Sequence, residues 1–383
     1  MRKICDILQD AKENNKKIYS FEIFPPRTEQ GMINLFTLIG KFKEEHNPQF
    51  IDVTWGAGGS TANTTFDICK RIQDEFGIIA NLHITCTNVK IEEIRRILDK
   101  CKEDGINNIF CLRGDPPKDV ENWVPPEGGF SSARDLVAWV RKEYGDYFCI
   151  SVAGYPEGHP NTIKVVDSDV LTASEKKRAC MTSTGLCVCS DDAYEQELCY
   201  LKEKVEAGAD VIITQMFFDA QLYIDFVDDC SRHNIHIPIL PGILCPINYG
   251  GFFRMVSMNK SRVPTRVWNT VLPYKDDETK LRECFIDIVV EQSQRILMSD
   301  HQYLHFFVLN SNKLISRILD ALHLDGSPAE NADFSQGLTE TSDDVTMIRH
   351  TIMSNSYDVS VIEKRGIKPT FVNKLDNIEE NRE

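Results

Sequence analysis

This 383-residue sequence contains no long apolar stretch, because no run approaches the about 18–20 uninterrupted apolar residues of a membrane-spanning helix. The first residues, MRKICD, lack the apolar core that a secretory signal contains. We therefore expect a protein that neither spans a membrane nor is exported, and we expect it to be cytoplasmic.

The sequence has few basic residues for its size. It contains 43 Lys and Arg against 58 Asp and Glu, which gives a formal net charge of -15 at pH 7. Proteins that bind nucleic acid usually present a basic face to the phosphate backbone. The charge therefore argues against a nucleic-acid partner and favours small-molecule chemistry in a globular protein with a sizeable core.

The thirteen cysteines lack the spacing of a metal-binding set. Cys187 and Cys189 form a C-x-C pair near Cys180 without a matching second pair, so a surface insertion is favoured over a metal site. Other cysteines, such as Cys69 and Cys111, lie in apolar runs, where cysteine behaves as a small buried hydrophobe. We expect reduced thiols and no metal.

Two nucleotide-binding patterns are also missing. The first predicted strand is not followed by G-x-G-x-x-G, and no G-x-x-x-x-G-K-[ST] phosphate loop occurs. Residues 56–60 (GAGGS) have a different spacing and indicate a tight strand-to-helix loop. These absences argue against an open, doubly wound dinucleotide-binding sheet.

Short β-branched and aromatic runs alternate with helix-like stretches along the chain. This alternation predicts a parallel α/β sheet, and eight such units predict a (β/α)8 TIM barrel over residues 1–324. An irregular stretch at about 161–192 is predicted to be an insertion, and residues 325–383 to be a polar, partly disordered linker or tail. The predicted strands are 18–24, 50–55, 79–86, 107–114, 148–154, 210–216, 237–243 and 304–309.

Glu22 lies in the apolar run Ser20–Phe24, which Pro25 and Pro26 terminate. Burying an ionised carboxylate is so costly that its pKa usually rises or its charge is paired, and a neutral carboxylic acid can donate a proton. Glu22 is therefore a candidate catalytic acid. Pairing with a buried Arg or Lys, or a place on an edge strand facing water, explains the residue equally well.

Polar residues recur where the predicted strands end, which is where TIM barrels build active sites. Arg113 offers a planar fork of donors for phosphate, and Gly114 lets a ligand approach the backbone. Asp115 is a second candidate carboxylate, and for His83 the residues alone favour a buried histidine with a carbonyl partner. The strand-end residues are Glu22, Thr54, Trp55, His83, Thr85, Arg113, Gly114, Asp115, Tyr155, His159 and Gln215.

Six motifs in register resemble methylenetetrahydrofolate reductases over nearly all of residues 1–324: FEIFPPR (21–27), DVTW (52–55), HITC (83–86), LRGD (112–115), VAGYPEGHP (152–160) and ITQMFF (213–218). Trp55 and Gly154-Tyr155-Pro156 resemble the eukaryotic members. The resemblance implies a TIM barrel with FAD at the C-terminal face of its strands. It also implies ping-pong hydride transfer from NADH or NADPH to methylenetetrahydrofolate, in one-carbon metabolism and methionine supply. Nicotinamide preference and oligomeric state, including a homo-oligomer, are left open.

The resemblance also assigns roles by position. Glu22 corresponds to the general acid, and Asp115 to the carboxylate that stabilises the folate cation. The implied folate contacts are Glu22, Asp115, Gln215, Tyr249 and Phe307. The implied flavin contacts are Thr54, Trp55, His83, Arg113, Gly114, Asp115, Ser132, Ala133, Tyr155, His159, Glu197 and Lys204.

The sequence departs from the family pattern in several places. Phe307 and Ser311 stand where the family often has tyrosine and arginine, Ser132 replaces a tyrosine, and Glu197 replaces an aspartate. The polar residues 325–383 cannot form the regulatory domain of eukaryotic relatives, so we expect no inhibition by S-adenosylmethionine. A folate-dependent methyltransferase barrel and a non-catalytic folate-binding protein are the alternatives.

Overall fold

The computed structural model describes residues 1–56, 61–114, 125, 127–167, 170–299 and 301–324. The chain divides into two units, Met1–Leu338 and Thr339–Glu383, and the described residues all belong to the first. Asp115 lies outside the described residues. The boundary at residue 324 stays a prediction. No helix in the described part of the chain combines the length and apolarity needed to cross a membrane.

Strands and helices alternate through most of the chain. The strands are β1 (Ile18–Ile23), β2 (Phe50–Val53), β3 (Ile79–Thr85), β4 (Asn108–Leu112), β5 (Cys149–Gly154), β6 (Lys164–Val165), β7 (Cys180–Thr182), β8 (Gly185–Val188), β9 (Val211–Thr214), β10 (Ile239–Leu240), β11 (Gly242–Leu244) and β12 (Tyr303–Phe307). The helices are α1 (Ile4–Glu13), α2 (Glu29–Lys41), α3 (Ala62–Phe76), α4 (Ile91–Glu103), α5 (Ala133–Tyr144), α6 (Ala173–Arg178), α7 (Asp191–Glu206), α8 (Ala220–Arg232), α9 (Tyr249–Asn259), α10 (Thr265–Val271), α11 (Glu278–Met298) and α12 (Ile315–Ala321). A π-helical turn, Phe42–His46, follows α2, and a 3-10 turn, Leu272–Tyr274, follows α10.

The main sheet has nine strands in the order β10-β9-β5-β4-β3-β2-β1-β12-β11, all of them parallel. Only Pro241 separates β10 from β11. Because β10 pairs with β9 and β11 pairs with β12, this interrupted strand joins the two edges of the sheet. Eight strand positions therefore close a (β/α)8 barrel, which confirms the predicted fold class.

Pro241 explains why the seventh predicted strand, 237–243, is divided. Proline has no N–H to donate to a ladder. Its carbonyl still accepts a hydrogen bond from the backbone N of His305 at 3.1 Å. The next residue must be glycine, because a Cβ on Gly242 would lie 2.2 Å from the backbone oxygen of Thr214.

Helix α1 covers the N-terminal end of the barrel. Its buried face packs in one cluster with residues from the strands: Ile4, Ile7, Leu8 and Ala11 of the helix with Ile18, Phe50, Phe110, Cys149, Val211, Ile213, Leu240 and Tyr303. The hydroxyl of Tyr303 donates to the carbonyl of Leu8 at 2.8 Å. Because this end is filled by side chains, a ligand site must be sought at the other end of the strands.

The stretch between β5 and α7 forms a small three-stranded antiparallel sheet in the order β6-β8-β7, with α6 beside it in sequence. Thr172 and Glu175 form a reciprocal capping box at the start of α6. Cys180 and Cys187 lie opposite each other in register, and neither forms a disulfide. Their burial fits the role of small core residues.

Candidate active site

Two imidazoles converge on one carboxylate at the C-terminal end of β1. Oε2 of Glu22 lies 3.7 Å from Nε2 of His83 and 3.8 Å from Nε2 of His305. The Glu22 side chain is 22% exposed, so it reaches solvent from within the barrel mouth. β1 lies between β2 and β12 and is not an edge strand. The partners of Glu22 in the described residues are thus histidines, and the alternative of an edge position is wrong.

His83 is held by a second carboxylate. Its Nε2 lies 2.9 Å from Oδ2 of Asp52, which also accepts from Nδ2 of Asn81 at 3.1 Å. Burial disfavours the charged imidazole, but the hydrogen bond to Asp52 and the charges of Asp52 and Glu22 outweigh it and raise the pKa of His83. The prediction of a carbonyl partner for His83 is therefore wrong, because its Nε2 contacts the fully buried carboxylate of Asp52 instead.

His305 approaches Glu22 from the other side. Its Nδ1 lies 2.8 Å from Oγ of Ser20, and the imidazole is completely buried. Its Nε2 has no hydrogen-bond partner among the described residues. Such a nitrogen is available to a ligand, a water or a carboxyl group that moves closer. The ring of Phe307 lies 5.4 Å from the His305 ring, edge to face.

The ends of β3 and β4 form a close-fitting turn around a glycine. The hydroxyl of Thr87 donates to the carbonyl of Arg113 at 2.7 Å and so fixes the turn. Gly114 has φ +85°, and a Cβ there would lie 2.9 Å from Cβ of Thr85. The positive φ and the lack of space for a Cβ both require glycine at this position. Nε of Arg113 donates to the Gly114 carbonyl at 3.3 Å.

Two buried donors near the ends of β2 and β3 make no hydrogen bond within the described residues. They are the indole N–H of Trp55 and the hydroxyl of Thr85. Thr54, between β2 and Trp55, donates its N–H to Ile23 and accepts from the Thr65 hydroxyl, both at 3.0 Å. Buried donors are normally satisfied, so Trp55 and Thr85 are the groups to which a bound ligand would supply acceptors.

A buried lysine and a half-buried glutamate line a small pocket beside β5. Nζ of Lys204 donates to the carbonyl of Ala153 at 2.6 Å. Burial lowers the pKa of Lys204 to about 8, against the opposing charge of Glu197. Burial likewise raises the pKa of Glu197, against the charges of Lys204 and Arg113. Tyr155 also lines this pocket, and its ring lies 4.8 Å from that of His159, edge to face.

The loop after β5 is fastened by residues that the sequence reasoning missed. Oε1 of Glu157 accepts from the backbone N of Arg262 at 3.0 Å, and the guanidinium of Arg262 pairs with Asp219 at 2.6 Å. Nζ of Lys260 donates to the carbonyls of Pro160 and Ile163, at 2.8 Å and 2.7 Å. These hydrogen bonds and this ion pair connect the three loops that follow β5, β9 and α9.

The remaining predicted site residues lie in other loops at the same end of the strands. Gln215 follows β9, and its Oε1 accepts from the N–H of Met216 at 2.9 Å. Tyr249 begins α9, and Ser132 caps α5 by accepting from the N–H of Asp135 at 3.2 Å, with Ala133 as the first helical residue. The contacts described above bring Glu22, His83 and Phe307 into one cluster and Tyr155, Glu197 and Lys204 into another.

The amino-acid sequence that forms this barrel matches a known protein family. The family model described as methylenetetrahydrofolate reductase matches residues 7–323. The chain is 40% identical over 322 residues to "Methylenetetrahydrofolate reductase (NADH) 1" of Zea mays, covering 84% of this chain and 51% of the relative. It is 39% identical over 322 residues to "Probable methylenetetrahydrofolate reductase (NADH)" of Oryza sativa subsp. japonica, with the same coverage of both chains.

A bacterial relative matches over most of its own length. "5,10-methylenetetrahydrofolate reductase" of Pectobacterium carotovorum subsp. carotovorum is 33% identical over 306 residues, covering 79% of this chain and 89% of the relative. The chain spans about half the length of the plant relatives, and its match to the family model covers most of its own residues. The chain therefore belongs to the methylenetetrahydrofolate reductase family.

Proposed function

We propose that this chain reduces methylenetetrahydrofolate to methyltetrahydrofolate in a ping-pong reaction, with NADH or NADPH as reductant and FAD as cofactor. The observation that carries the proposal is the Glu22 carboxylate at the barrel mouth, with His83 and His305 within 3.8 Å of its Oε2. The names of the plant and bacterial relatives support the choice of substrate.

The donors at the strand ends fit FAD. Trp55 and Thr85 offer buried donors that lack partners among the described residues. Arg113 and Lys204 supply cationic donors suited to a pyrophosphate. When bound, FAD accepts a hydride from the nicotinamide and passes one to the folate. The residues proposed to hold it are Thr54, Trp55, His83, Arg113, Gly114, Asp115, Ser132, Ala133, Tyr155, His159, Glu197 and Lys204.

Glu22 is proposed to protonate the folate nitrogen that leaves the one-carbon bridge. This protonation opens the bridge to a cation that can accept hydride, and the proton departs from Oε of Glu22. The distances from Glu22 to His83 and His305 exceed those of direct hydrogen bonds, as is common before a substrate binds. Both imidazoles are placed to return a proton to Glu22 between turnovers.

The substrate is proposed to contact Gln215, Tyr249 and Phe307 besides Glu22. The Gln215 amide can both donate to and accept from a pterin, and the rings of Tyr249 and Phe307 offer apolar faces to it. Asp115 is proposed as the fixed negative charge that stabilises the folate cation. With tyrosine replaced by Phe307, any contact there depends on packing alone.

The test is an anaerobic half-reaction experiment on the purified chain. We expect a yellow protein whose flavin absorbance is bleached by NADH or NADPH and restored by methylenetetrahydrofolate. A colourless protein that does not take up added FAD would contradict the proposal. So would a reduced flavin that methylenetetrahydrofolate leaves reduced.

A further inference from the structure

A second cluster of chemically reactive side chains lies between α7 and the end of α8. Nε2 of His233 lies 2.7 Å from Oε1 of Glu195, and Sγ of Cys199 lies 4.0 Å from the same oxygen. One donor atom from each of the three residues lies within 4.8 Å of the other two. Of the thirteen cysteines, Cys199 alone is exposed. The cluster is therefore accessible from solvent.

The hydrogen bonding of His233 fixes which nitrogen faces the cluster. Nδ1 lies 2.9 Å from the backbone carbonyl of Asp229, which can only accept, so Nδ1 carries a proton. In the neutral imidazole Nε2 then presents its lone pair to the Glu195 carboxylate. Two acceptors this close need a cation between them, either a proton or a metal ion. An Nδ1–H donating to a backbone carbonyl is also how metal-binding histidines are usually oriented.

We propose that Glu195, Cys199 and His233 form a zinc site, which departs from the expectation of no metal that the cysteine spacing gave. Thiolate, imidazole and carboxylate are zinc's usual ligands, with bonds of about 2.0–2.3 Å that place tetrahedral ligand atoms about 3.3–3.7 Å apart. The observed 2.7 Å and 4.0 Å separations lie within about half an ångström of that range. The third separation, between a donor atom of His233 and Sγ of Cys199, is at most 4.8 Å, so these accessible side chains close by up to about 1 Å when the ion binds. Binding displaces the thiol proton of Cys199 and any proton between His233 and Glu195. The fourth position is left to water.

The ligand set also selects the class of metal. Mg²⁺ and Ca²⁺ prefer oxygen ligands, whereas a thiolate and an imidazole favour Zn²⁺. A second group, Cys5, Cys149 and Asp210, brings three donors equally close, but Asp210 already accepts from Arg141 and from the N–H of Ile150. The nearby guanidinium disfavours another cation there. This zinc site is independent of the proposed reductase activity.

The test measures Zn²⁺ binding to the full chain by competition with a chromophoric chelator. We expect one Zn²⁺ per chain, with Mg²⁺ unable to compete. Cys199→Ser, His233→Gln and Glu195→Gln should each weaken binding by about tenfold or more, because even the loss of an outer partner costs that much. Asp192→Asn on the exposed face of α7 and Cys5→Ser are matched controls that should leave the affinity unchanged.

Cobalt provides a second readout that does not depend on enzyme activity. Co²⁺ bound to the wild-type chain should give a thiolate charge-transfer band, and Cys199→Ser should abolish it while its circular dichroism stays that of the folded protein. The proposal is overturned if Zn²⁺ affinity is the same in all three ligand variants and the wild type. It is equally overturned if only Cys5→Ser removes the bound ion.

Discussion

Nε2 of His83 lies 2.9 Å from Oδ2 of Asp52, so a fully buried carboxylate sets the charge of the imidazole that faces Glu22. Burial alone would lower the pKa of His83, and it is Asp52 together with Glu22 that raises it. Asp52→Asn keeps the shape of the side chain but removes its charge. We expect the pKa of His83 to fall in this variant, as followed by NMR of the imidazole nitrogens. Asp74→Asn, on the exposed side of α3, is the control, and an unaltered His83 titration in Asp52→Asn would refute the assignment.

Gly114 and Gly105 both have positive φ, +85° and +72°, but only Gly114 has a neighbour in the way of a Cβ. Alanine at either position should lose about 1 kcal/mol through backbone strain. Gly114→Ala should lose a further 1–3 kcal/mol, roughly, because its methyl group overlaps Thr85. Urea denaturation measures both values, and flavin content should fall in Gly114→Ala only. Equal behaviour of the two variants would show that the turn has room for a side chain.

Lys204 and Lys202 lie two residues apart on α7, and only Lys204 is buried. Lys204→Gln removes a charged donor that faces Ala153 at 2.6 Å and balances Glu197. A charged hydrogen bond contributes about 1.5–3 kcal/mol, so we expect FAD affinity to fall by about 10- to 100-fold. Titration of the folded apoprotein with FAD measures it. Lys202→Gln should bind FAD like the wild type, and equal affinity of both variants would exclude Lys204 from the cofactor site.

Glu157 makes stability depend on pH. Burial raises its pKa from 4.5 to about 8, against the opposing effect of Arg262. Between these two pKa values the folded state therefore keeps a proton that the unfolded state loses. The resulting contribution to the free energy of unfolding is fully present below about pH 4.5 and is lost as the pH rises through 8. One unit of pKa shift corresponds to about 1.36 kcal/mol, so the free energy of unfolding falls by at most about 5 kcal/mol over this pH range.

Glu157→Gln keeps an acceptor for the N–H of Arg262 but cannot ionise. Between pH 6 and pH 8.5 we expect its Tm to fall less than that of the wild type, as measured by thermal denaturation. Glu103→Gln, an exposed residue of α4, should follow the wild type. Parallel Tm curves for Glu157→Gln and the wild type would contradict the assigned burial effect.

The barrel could be predicted from sequence because each βα unit carries its own local signal. All eight predicted strands overlap an observed strand or, at 237–243, the pair β10 and β11. The break at Pro241 was missed although proline is a local signal against an uninterrupted strand, because Ile243 and Leu244 continue the apolar run beyond it. Only the closed barrel shows that the residues before Pro241 pair with β9 and the residues after it pair with β12.

The partners of Glu22 could not be predicted in the same way. Asp52 and His305 each stand alone in an apolar strand, which does not reveal what the side chain faces. Glu22 and His305 meet because β1 pairs with β12, some 280 residues later in the chain. Glu22 was identified as a candidate because it is a lone polar residue inside a short apolar strand. The same criterion, applied to every predicted strand, would also have identified Asp52 and His305 as candidate site residues. The hydrogen bond between Glu157 and Arg262 joins residues 105 positions apart, and no local sequence pattern predicts it.

The most direct measurement of the central claim compares the two half-reactions of Glu22→Gln under anaerobic stopped flow. The amide of this variant cannot donate the proton that opens the one-carbon bridge, whereas reduction of the flavin by NADH or NADPH does not need it. We expect folate reduction to slow by about 100- to 10,000-fold with flavin reduction nearly unchanged. Glu29→Gln, at the start of α2, should behave as wild type in both halves. Reoxidation of the flavin by methylenetetrahydrofolate at the wild-type rate in Glu22→Gln would contradict the assignment of Glu22 as the acid.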